Sequence, residues 1–130
     1  HTKSIDWYLL GVLIYEMLVG VPPYFNPDKA ILFKNIEMGP LKIPHTMPQP
    51  ARSIILLLLN RNPAKRLGSN CADASEIKNH EFFADLDWDR VASRDYPVMQ
   101  PKVKNLTANP KAVATFFEEL EESETRFRDY

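Results

Sequence analysis

The side chain best placed for chemistry in this sequence is Glu16, the only charged residue between Asp6 and Asp28. Its neighbours are Leu, Ile, Tyr, Met and Val, and a carboxylate buried among such side chains is costly unless it is paired. We therefore expect Glu16 to hold a cation. One candidate is an Arg or Lys of the same protein.

A second acid, Asp6, stands at the head of the same apolar run. A carboxylate beside a buried helix N-terminus needs hydrogen-bond donors or a positive charge. We predict that Asp6 holds backbone N–H groups or a cation and so positions another part of the protein. The alternative is that Asp6 only interacts favourably with the dipole of its own helix.

These acids belong to residues 6–25, DWYLLGVLIYEMLVGVPPYF, which are almost all apolar. A helix that is apolar on every side lies inside a protein or a membrane, and about 14 residues are too few to cross a bilayer. We predict a core helix that Ser4 caps and that Gly20 ends, with two prolines soon after it. Leu13 and Met17, one turn apart on one face, are predicted core residues.

The remaining pattern is mostly helical, so the fold class is predicted to be mainly α. Helices are predicted over Lys29–Met38, after a turn at Asn26–Asp28, and over Arg52–Asn60 and Ala74–His80, with a further turn or two over Asp85–Val91. The segment Gly39–Pro50 contains four prolines and is predicted to be an extended loop. From Ala92 onward apolar residues become sparse, and an extended, largely irregular tail is expected.

Composition excludes several classes of function. The chain has 130 residues, is 45% apolar and carries a formal net charge of −1. This balance gives no strong attraction to nucleic acid or to a membrane surface, and no apolar run is long enough for a transmembrane span. No signal peptide is recognised. The sequence starts at His1 without an initiator Met, so we expect it to be a fragment.

Cysteine and histidine usage argues against disulfide and metal sites. Cys71 is the only cysteine, so it has no internal disulfide partner, which fits a reducing compartment such as the cytoplasm. His45 and His80 are far apart in sequence and lack Cys or acidic neighbours in a ligand pattern, so no metal site is predicted. His80 is instead expected to cap or pack an element where the helical region ends.

Three ordered motifs resemble one known family. Residues 6–25 resemble the central helix F of eukaryotic protein kinases. Asn60–Ser69, NRNPAKRLGS, resembles the signature late in the kinase C-lobe, and His80–Val91, HEFFADLDWDRV, followed by Pro97 and Pro101, resembles the end of the catalytic domain in the AGC group. The resemblance implies a helical lower C-lobe over residues 1–91 and an AGC C-terminal tail over residues 92–130.

The resemblance also implies roles for the residues of the apolar helix. Glu16 matches the position where basophilic AGC kinases bind an Arg two residues before the phosphorylated Ser or Thr. Asp6 matches the acid that orients the backbone of the catalytic loop. Leu13 and Met17 match residues that support the apolar column beneath the adenine ring of ATP.

Arg66 matches the arginine that the family buries against the Glu of an APE motif. A lone Arg is more often on the surface, which is the alternative. The APE motif does not occur in this sequence. An unpaired buried guanidinium typically costs about 3–5 kcal/mol. We therefore expect the chain by itself to be poorly folded.

In the tail, Phe127 and Tyr130 have the spacing of the AGC hydrophobic motif, which implies docking on the kinase small lobe and recognition by an upstream phosphoinositide-dependent kinase. The alternative is a chance pair of rings in a disordered tail. Phe116 and Phe117 resemble the segment that places a Phe over the ATP site, although Glu118-Glu119 departs from the usual pattern. Ser123 and Thr125 are candidate phosphorylation sites.

Taken with the resemblance, the sequence predicts part of an ATP-dependent Ser/Thr kinase that phosphorylates protein substrates with a nearby Arg. ATP and Mg²⁺ would be bound by the upstream part of the parent, because no GxGxxG, HRD or DFG motif occurs in this chain. The chain alone is therefore expected to transfer no phosphate. The alternative for the parent is a pseudokinase or a docking module without catalysis.

Overall fold

A computed structural model describes residues 3–100 of the chain. Within that range the fold consists of helices and connecting loops, with no β-strand, which confirms the mainly α prediction. The helices are α1 (Lys3–Val19), α2 (Lys29–Met38), α3 (Gln49–Leu58), α4 (Ala74–Lys78) and α5 (Trp88–Ala92), with short 3₁₀ turns at Pro63–Lys65 and Glu81–Phe83.

Helices α1 and α3 form the core because glycine allows them to approach closely. A Cβ added to Gly11 would stand 2.8 Å from the Leu58 Cβ, closer than such atoms pack. Ile54, Ile55 and Leu58 of α3 are fully shielded from solvent. Ile14 of α1 is 3% exposed. One face of α1 is therefore packed against α3.

Helix α1 ends at Val19, immediately before Gly20, as the sequence predicted. Gly20 adopts a left-handed backbone with φ of +94°, and its N–H donates to the Glu16 carbonyl at 2.8 Å. The start differs, because α1 already includes Lys3 and places Ser4 within the first turn. The prediction that Ser4 caps the helix was wrong, because its hydroxyl contacts residues of a distant loop instead.

Helix α2 has the predicted limits, with the Asp28 carboxylate accepting from the Ala30 and Ile31 N–H groups at 2.8 and 3.4 Å. Helix α3 begins three residues before its predicted start, and so shortens the predicted loop. Proline removes no hydrogen bond in the first helical turn, where the N–H groups have no helical partner, so Pro50 is accepted there.

The short elements after α3 are held by a histidine and by aromatic contacts. The His80 Nδ1 accepts from the Phe82 N–H at 3.0 Å, and its Nε2 lies 3.1 Å from the Ser53 Oγ of α3. Phe83 packs edge-on against Trp88 with ring centroids 5.2 Å apart. These contacts confirm the prediction that His80 caps and packs an element.

The chain divides after Arg94 into two units, and of the second the structure describes residues 95–100. Pro97–Gln100 form no regular element, and Val98 is 89% exposed. The division into a lobe at 1–91 and a tail at 92–130 stays a prediction. None of the helices in residues 3–100 has the length and apolar content that crossing a membrane requires.

Candidate functional site

The site residues predicted on α1 share one face of that helix. Asp6, Leu9, Leu13 and Glu16 follow one another at the three- and four-residue intervals that line one side of an α-helix, and Met17 lies four residues after Leu13 on the same side. All five side chains are exposed. The two carboxylates are ten residues apart, about 15 Å along the helix axis at 1.5 Å per residue. We call this surface the open face of α1.

Glu16 lies near the C-terminal end of the open face. The sequence suggested a buried carboxylate, and this expectation was wrong, because Glu16 points away from the side of α1 that packs on α3. In the part of the chain that the structure describes, no Arg or Lys forms an ion pair with Glu16. An exposed carboxylate keeps its hydration and remains available to an external cation.

Asp6 lies in the first turn of α1 and is also exposed. Its side chain holds no backbone N–H and no cation among residues 3–100, so the contact expected from the sequence does not form there. A negative charge in the first turn still interacts favourably with the helix dipole. Its predicted role toward a catalytic loop stays a prediction.

Leu13 and Met17 are one turn apart on one face, as predicted, but they are not core residues of the described chain. Leu13 is 52% exposed and Met17 is 68% exposed. The physical reason is that α3 covers the opposite side of α1, where Ile14 and Tyr15 are buried. The described elements leave Leu13 and Met17 uncovered.

Arg66 is 8% exposed, so the alternative of a surface arginine was wrong. Its Nε donates to the Asn60 carbonyl at 2.9 Å, and its Nη1 donates to the Ser4 carbonyl at 2.8 Å and the Ser4 hydroxyl at 2.9 Å. The guanidinium also lies 5.0 Å from the centre of the Tyr8 ring. Arg66 therefore joins the start of α1 to the loop that follows α3.

These contacts correct the reasoning about Arg66 and folding. No described carboxylate pairs with Arg66, yet no buried polar side-chain atom of the described residues lacks a hydrogen-bond partner. Two carbonyl oxygens and a hydroxyl thus accept the hydrogen bonds of the guanidinium, for which the sequence analysis had expected a carboxylate. The unpaired-arginine argument for a poorly folded chain no longer applies.

A second polar connection holds the same end of α1. The Trp7 Nε1 donates to Asp73 Oδ1 at 3.0 Å, and the Lys3 ammonium donates to Asp73 Oδ2 at 3.0 Å. The hydrogen bonds from Lys3 and Trp7 lower the pKa of Asp73 below its ordinary value of 3.8. Sequence reasoning missed this contact. The residues are 66 and 70 positions apart, and no local pattern joins them.

Beside the contacts of Lys3 and Trp7 with Asp73, the surface has a cleft of about 370 Å³. It is lined by Lys3, Ser4, Gly68, Ser69, Asn70, Cys71 and Asp73. Gly68 is needed at this position, because its φ is +84° and an added Cβ would stand 2.6 Å from Trp7 Cδ1. The cleft borders the anchored end of α1 and shares no lining residue with the open face.

Within residues 3–100 there is no cluster of three or more His, Cys, Asp or Glu side chains that could hold a metal ion. The tail residues predicted to act in regulation or nucleotide binding lie outside the described residues. They are Phe116, Phe117, Ser123, Thr125, Phe127 and Tyr130.

Comparison with known proteins agrees with the motifs. Residues 1–83 match the family model described as protein kinase domain. The chain is 44% identical to the serine/threonine-protein kinase YPK1 of Saccharomyces cerevisiae over 81% of its own length and 15% of that protein. It is 41% identical to the serine/threonine-protein kinase gad8 of Schizosaccharomyces pombe over 81% of the chain and 18% of the relative.

A zebrafish relative matches more of the chain. The serine/threonine-protein kinase N2 of Danio rerio is 38% identical over 92% of the chain and 12% of that protein. The chain thus spans between 12% and 18% of the length of these three curated relatives.

Proposed function

The chain belongs to the protein kinase family, within its AGC group of Ser/Thr kinases, and on this premise we propose that its parent protein transfers phosphate from ATP to Ser or Thr residues of proteins. The family match over residues 1–83 and the three kinase relatives support this activity. The lone exposed Cys71 fits a protein of the reducing cytoplasm.

We further propose that the substrates carry an Arg two residues before the acceptor and that Glu16 binds it. The observation that carries this proposal is the exposed Glu16 carboxylate, which has no cationic partner among residues 3–100. A carboxylate can bind a guanidinium through two parallel hydrogen bonds, and this geometry favours Arg over Lys. The absence of an internal partner within that range favours the external alternative.

The open face of α1 has a second role in this proposal. In the parent, the rest of the catalytic lobe would cover Leu9, Leu13 and Met17, since exposed apolar side chains at helical spacing favour burial. Asp6 would then orient the catalytic loop, and Leu13 and Met17 would support the residues beneath the adenine ring.

Nucleotide binding belongs to the upstream part of the parent. The four glycines, Gly11, Gly20, Gly39 and Gly68, form no phosphate-binding loop, and the chain contains no DFG motif to supply a magnesium ligand. The residues present do not fit ATP–Mg²⁺, so we assign no step of phosphate transfer to them. The chain alone is expected to be inactive.

The tail supplies the regulatory part of the proposal from its sequence. Phe127 and Tyr130 would dock on the small lobe of the parent and contact a phosphoinositide-dependent activating kinase. Phe116 and Phe117 would approach the nucleotide. Burying an aromatic side chain contributes roughly 1.5–3 kcal/mol before the cost of ordering the segment.

Steady-state kinetics of the intact parent test the substrate proposal. Glu16→Gln should raise KM for a peptide with Arg two residues before the acceptor and should leave kcat nearly unchanged. Losing a charge-assisted hydrogen bond of about 1.5–3 kcal/mol predicts roughly a tenfold to hundredfold rise. A peptide without that Arg should show no change.

A matched control is Glu37→Gln, which removes an exposed carboxylate from α2. This variant should not distinguish the two peptides. Equal losses on both peptides in Glu16→Gln would contradict substrate binding by Glu16. A parent that binds peptide but transfers no phosphate would support the docking-module alternative instead.

A further inference from the structure

Arg61 makes a set of contacts that the proposed function does not use. It follows α3 and reaches the C-terminal end of α2. Its Nε donates to the Ile36 carbonyl at 3.1 Å, and its Nη2 donates to the carbonyls of Asn35 at 3.0 Å and Gly39 at 2.5 Å. Ile36 has one of the last carbonyls of α2, which lack helical partners, and the C-terminal end of a helix favours a nearby positive charge. Arg61 therefore caps α2 from a distant loop.

This cap is important for α2 because the helix has little other attachment. None of its residues is buried, and Phe33 and Met38 are 66% and 65% exposed. Gly39 completes the cap, since an added Cβ would stand 2.7 Å from the Asn35 Cα. The contacts to Arg61 thus join the end of α2 to the loop that follows α3.

The same guanidinium lies over the ring of Tyr24, with Cζ 4.9 Å from the ring centre. This distance is within the range of a cation–π contact. Burial raises the pKa of Tyr24, and the nearby charge of Arg61 offsets this only in part. The phenol is therefore neutral at physiological pH, and the ring contacts Arg61 through its π face.

Tyr24 also has a strained backbone, with φ of +64°. A non-glycine residue keeps such a conformation only where surrounding contacts impose it. Tyr24 lies four residues after Gly20, whose N–H is bonded to the Glu16 carbonyl. Val21 and Pro23, which lie between them, are buried. The segment Gly20–Tyr24, which follows the last turn of α1 with Glu16 in it, is therefore fixed at its far end by Tyr24.

We propose that Arg61 is a positioning residue for substrate binding. By holding Tyr24 and the end of α2 together, Arg61 fixes the turn that follows α1 and so sets how Glu16 is presented to a basic substrate. This inference rests on the proposed role of Glu16. It adds a residue 45 positions away that acts on the same site without touching the substrate.

The test uses the intact parent and two peptides, one with and one without Arg two residues before the acceptor. Arg61→Lys keeps the charge but loses the planar fork and the stacking on Tyr24. It should raise KM for the Arg peptide about threefold to tenfold with kcat changed less than about twofold. KM for the other peptide should stay the same. Amides at the end of α2 should exchange hydrogen faster in this variant.

Two variants serve as controls. Arg52→Lys changes an arginine of α3 that donates to the Pro44 carbonyl at 3.1 Å in a different loop, and it should leave both KM values unchanged. Tyr24→Phe keeps the ring and should behave as the native kinase, whereas Tyr24→Ala should repeat the effect of Arg61→Lys.

The double variant Arg61→Lys/Glu16→Gln separates this inference from the proposed function. If both hold, Arg61→Lys has no further effect on KM once Glu16 is replaced. If Glu16→Gln fails to distinguish the peptides, the proposed function is wrong. If Glu16→Gln distinguishes them and Arg61→Lys does not, the inference about Arg61 alone is wrong. Equal losses on both peptides, together with a lower Tm, would show that Arg61 has only a structural role.

Discussion

The two sides of α1 have similar residues and opposite surroundings. On the packed side, Ile14 and Tyr15 are each 3% exposed, whereas on the open face Leu13 and Met17 are 52% and 68% exposed. Both sides are apolar, so hydropathy does not distinguish them. The comparison shows that a helix that is apolar on all sides is expected to be buried in a complete protein. The pattern does not show which elements cover each side of the helix.

Polar contacts follow the same division. At the start of α1, Arg66 donates to the Ser4 carbonyl, and Trp7 donates to Asp73. On the open face, Asp6 and Glu16 have no ion pair in the described part of the chain. The anchored contacts hold the helix in place. The exposed carboxylates are the groups through which we propose that it acts on other parts of the parent and on its substrates.

The largest expected effect is a difference in stability between substitutions at two adjacent residues of α1. In this chain, Ile14→Ala should lower the free energy of unfolding by about 2–5 kcal/mol, because it leaves a cavity in the contact with α3. Leu13→Ala should change it by no more than about 0.5 kcal/mol, since Leu13 is exposed. Urea unfolding followed by circular dichroism measures both.

The intact parent sharpens this comparison. If the rest of the catalytic lobe covers the open face, Leu13→Ala should become about as costly there as Ile14→Ala, because both side chains are then buried. A small effect of Leu13→Ala in the parent as well would show that the open face stays uncovered, and the proposed role of Leu13 would be wrong.

The next largest effect concerns Arg66, which binds the start of α1. Arg66→Ala should destabilise the parent by at least about 1.5–3 kcal/mol, because it removes charge-assisted hydrogen bonds and leaves buried oxygens without a donor. Arg66→Lys should restore only part of this, since an ammonium cannot reproduce the planar contacts to Asn60 and Ser4. Thermal unfolding of the three proteins gives the ranking, and equal Tm values would contradict it.

The smallest effect concerns pH and Asp73. Its pKa is lower in the folded chain than its ordinary value, so the stability that it contributes is present above about pH 4 and is lost as the pH falls through the folded pKa. Asp73→Asn should therefore flatten the decline of Tm with falling pH in the acid range.

Asparagine suits this test because it is nearly isosteric with Asp73 and removes the titratable carboxylate that contacts Lys3 and Trp7. Asp85→Asn, which replaces an exposed acid outside this contact, is the control and should keep the native pH profile. The same flattening in both variants would show that general charge, rather than the contact with Lys3 and Trp7, causes the effect.

Local rules explain which parts of the fold were predictable. The start of α2 and the end of α1 follow from Asp28 and Gly20, whose effects reach only a few neighbouring residues. The start of α3 was predicted late because Pro50 was taken to belong to a loop, although the first helical turn accepts proline. Ser4 was taken for a cap because its distant partner could not be seen in the sequence.

The sequence by itself determined the family, through three ordered motifs, and the helical class, through hydrophobic spacing and helix-ending residues. Only the tertiary structure decided which face of α1 is covered and what Arg66, Arg61 and Asp73 bind. Those contacts join residues that are far apart in the chain, as Ser4 and Arg66 are at 62 positions. The path of the backbone through the fold brings such partners together. The local conformational preferences of individual residues do not determine that path.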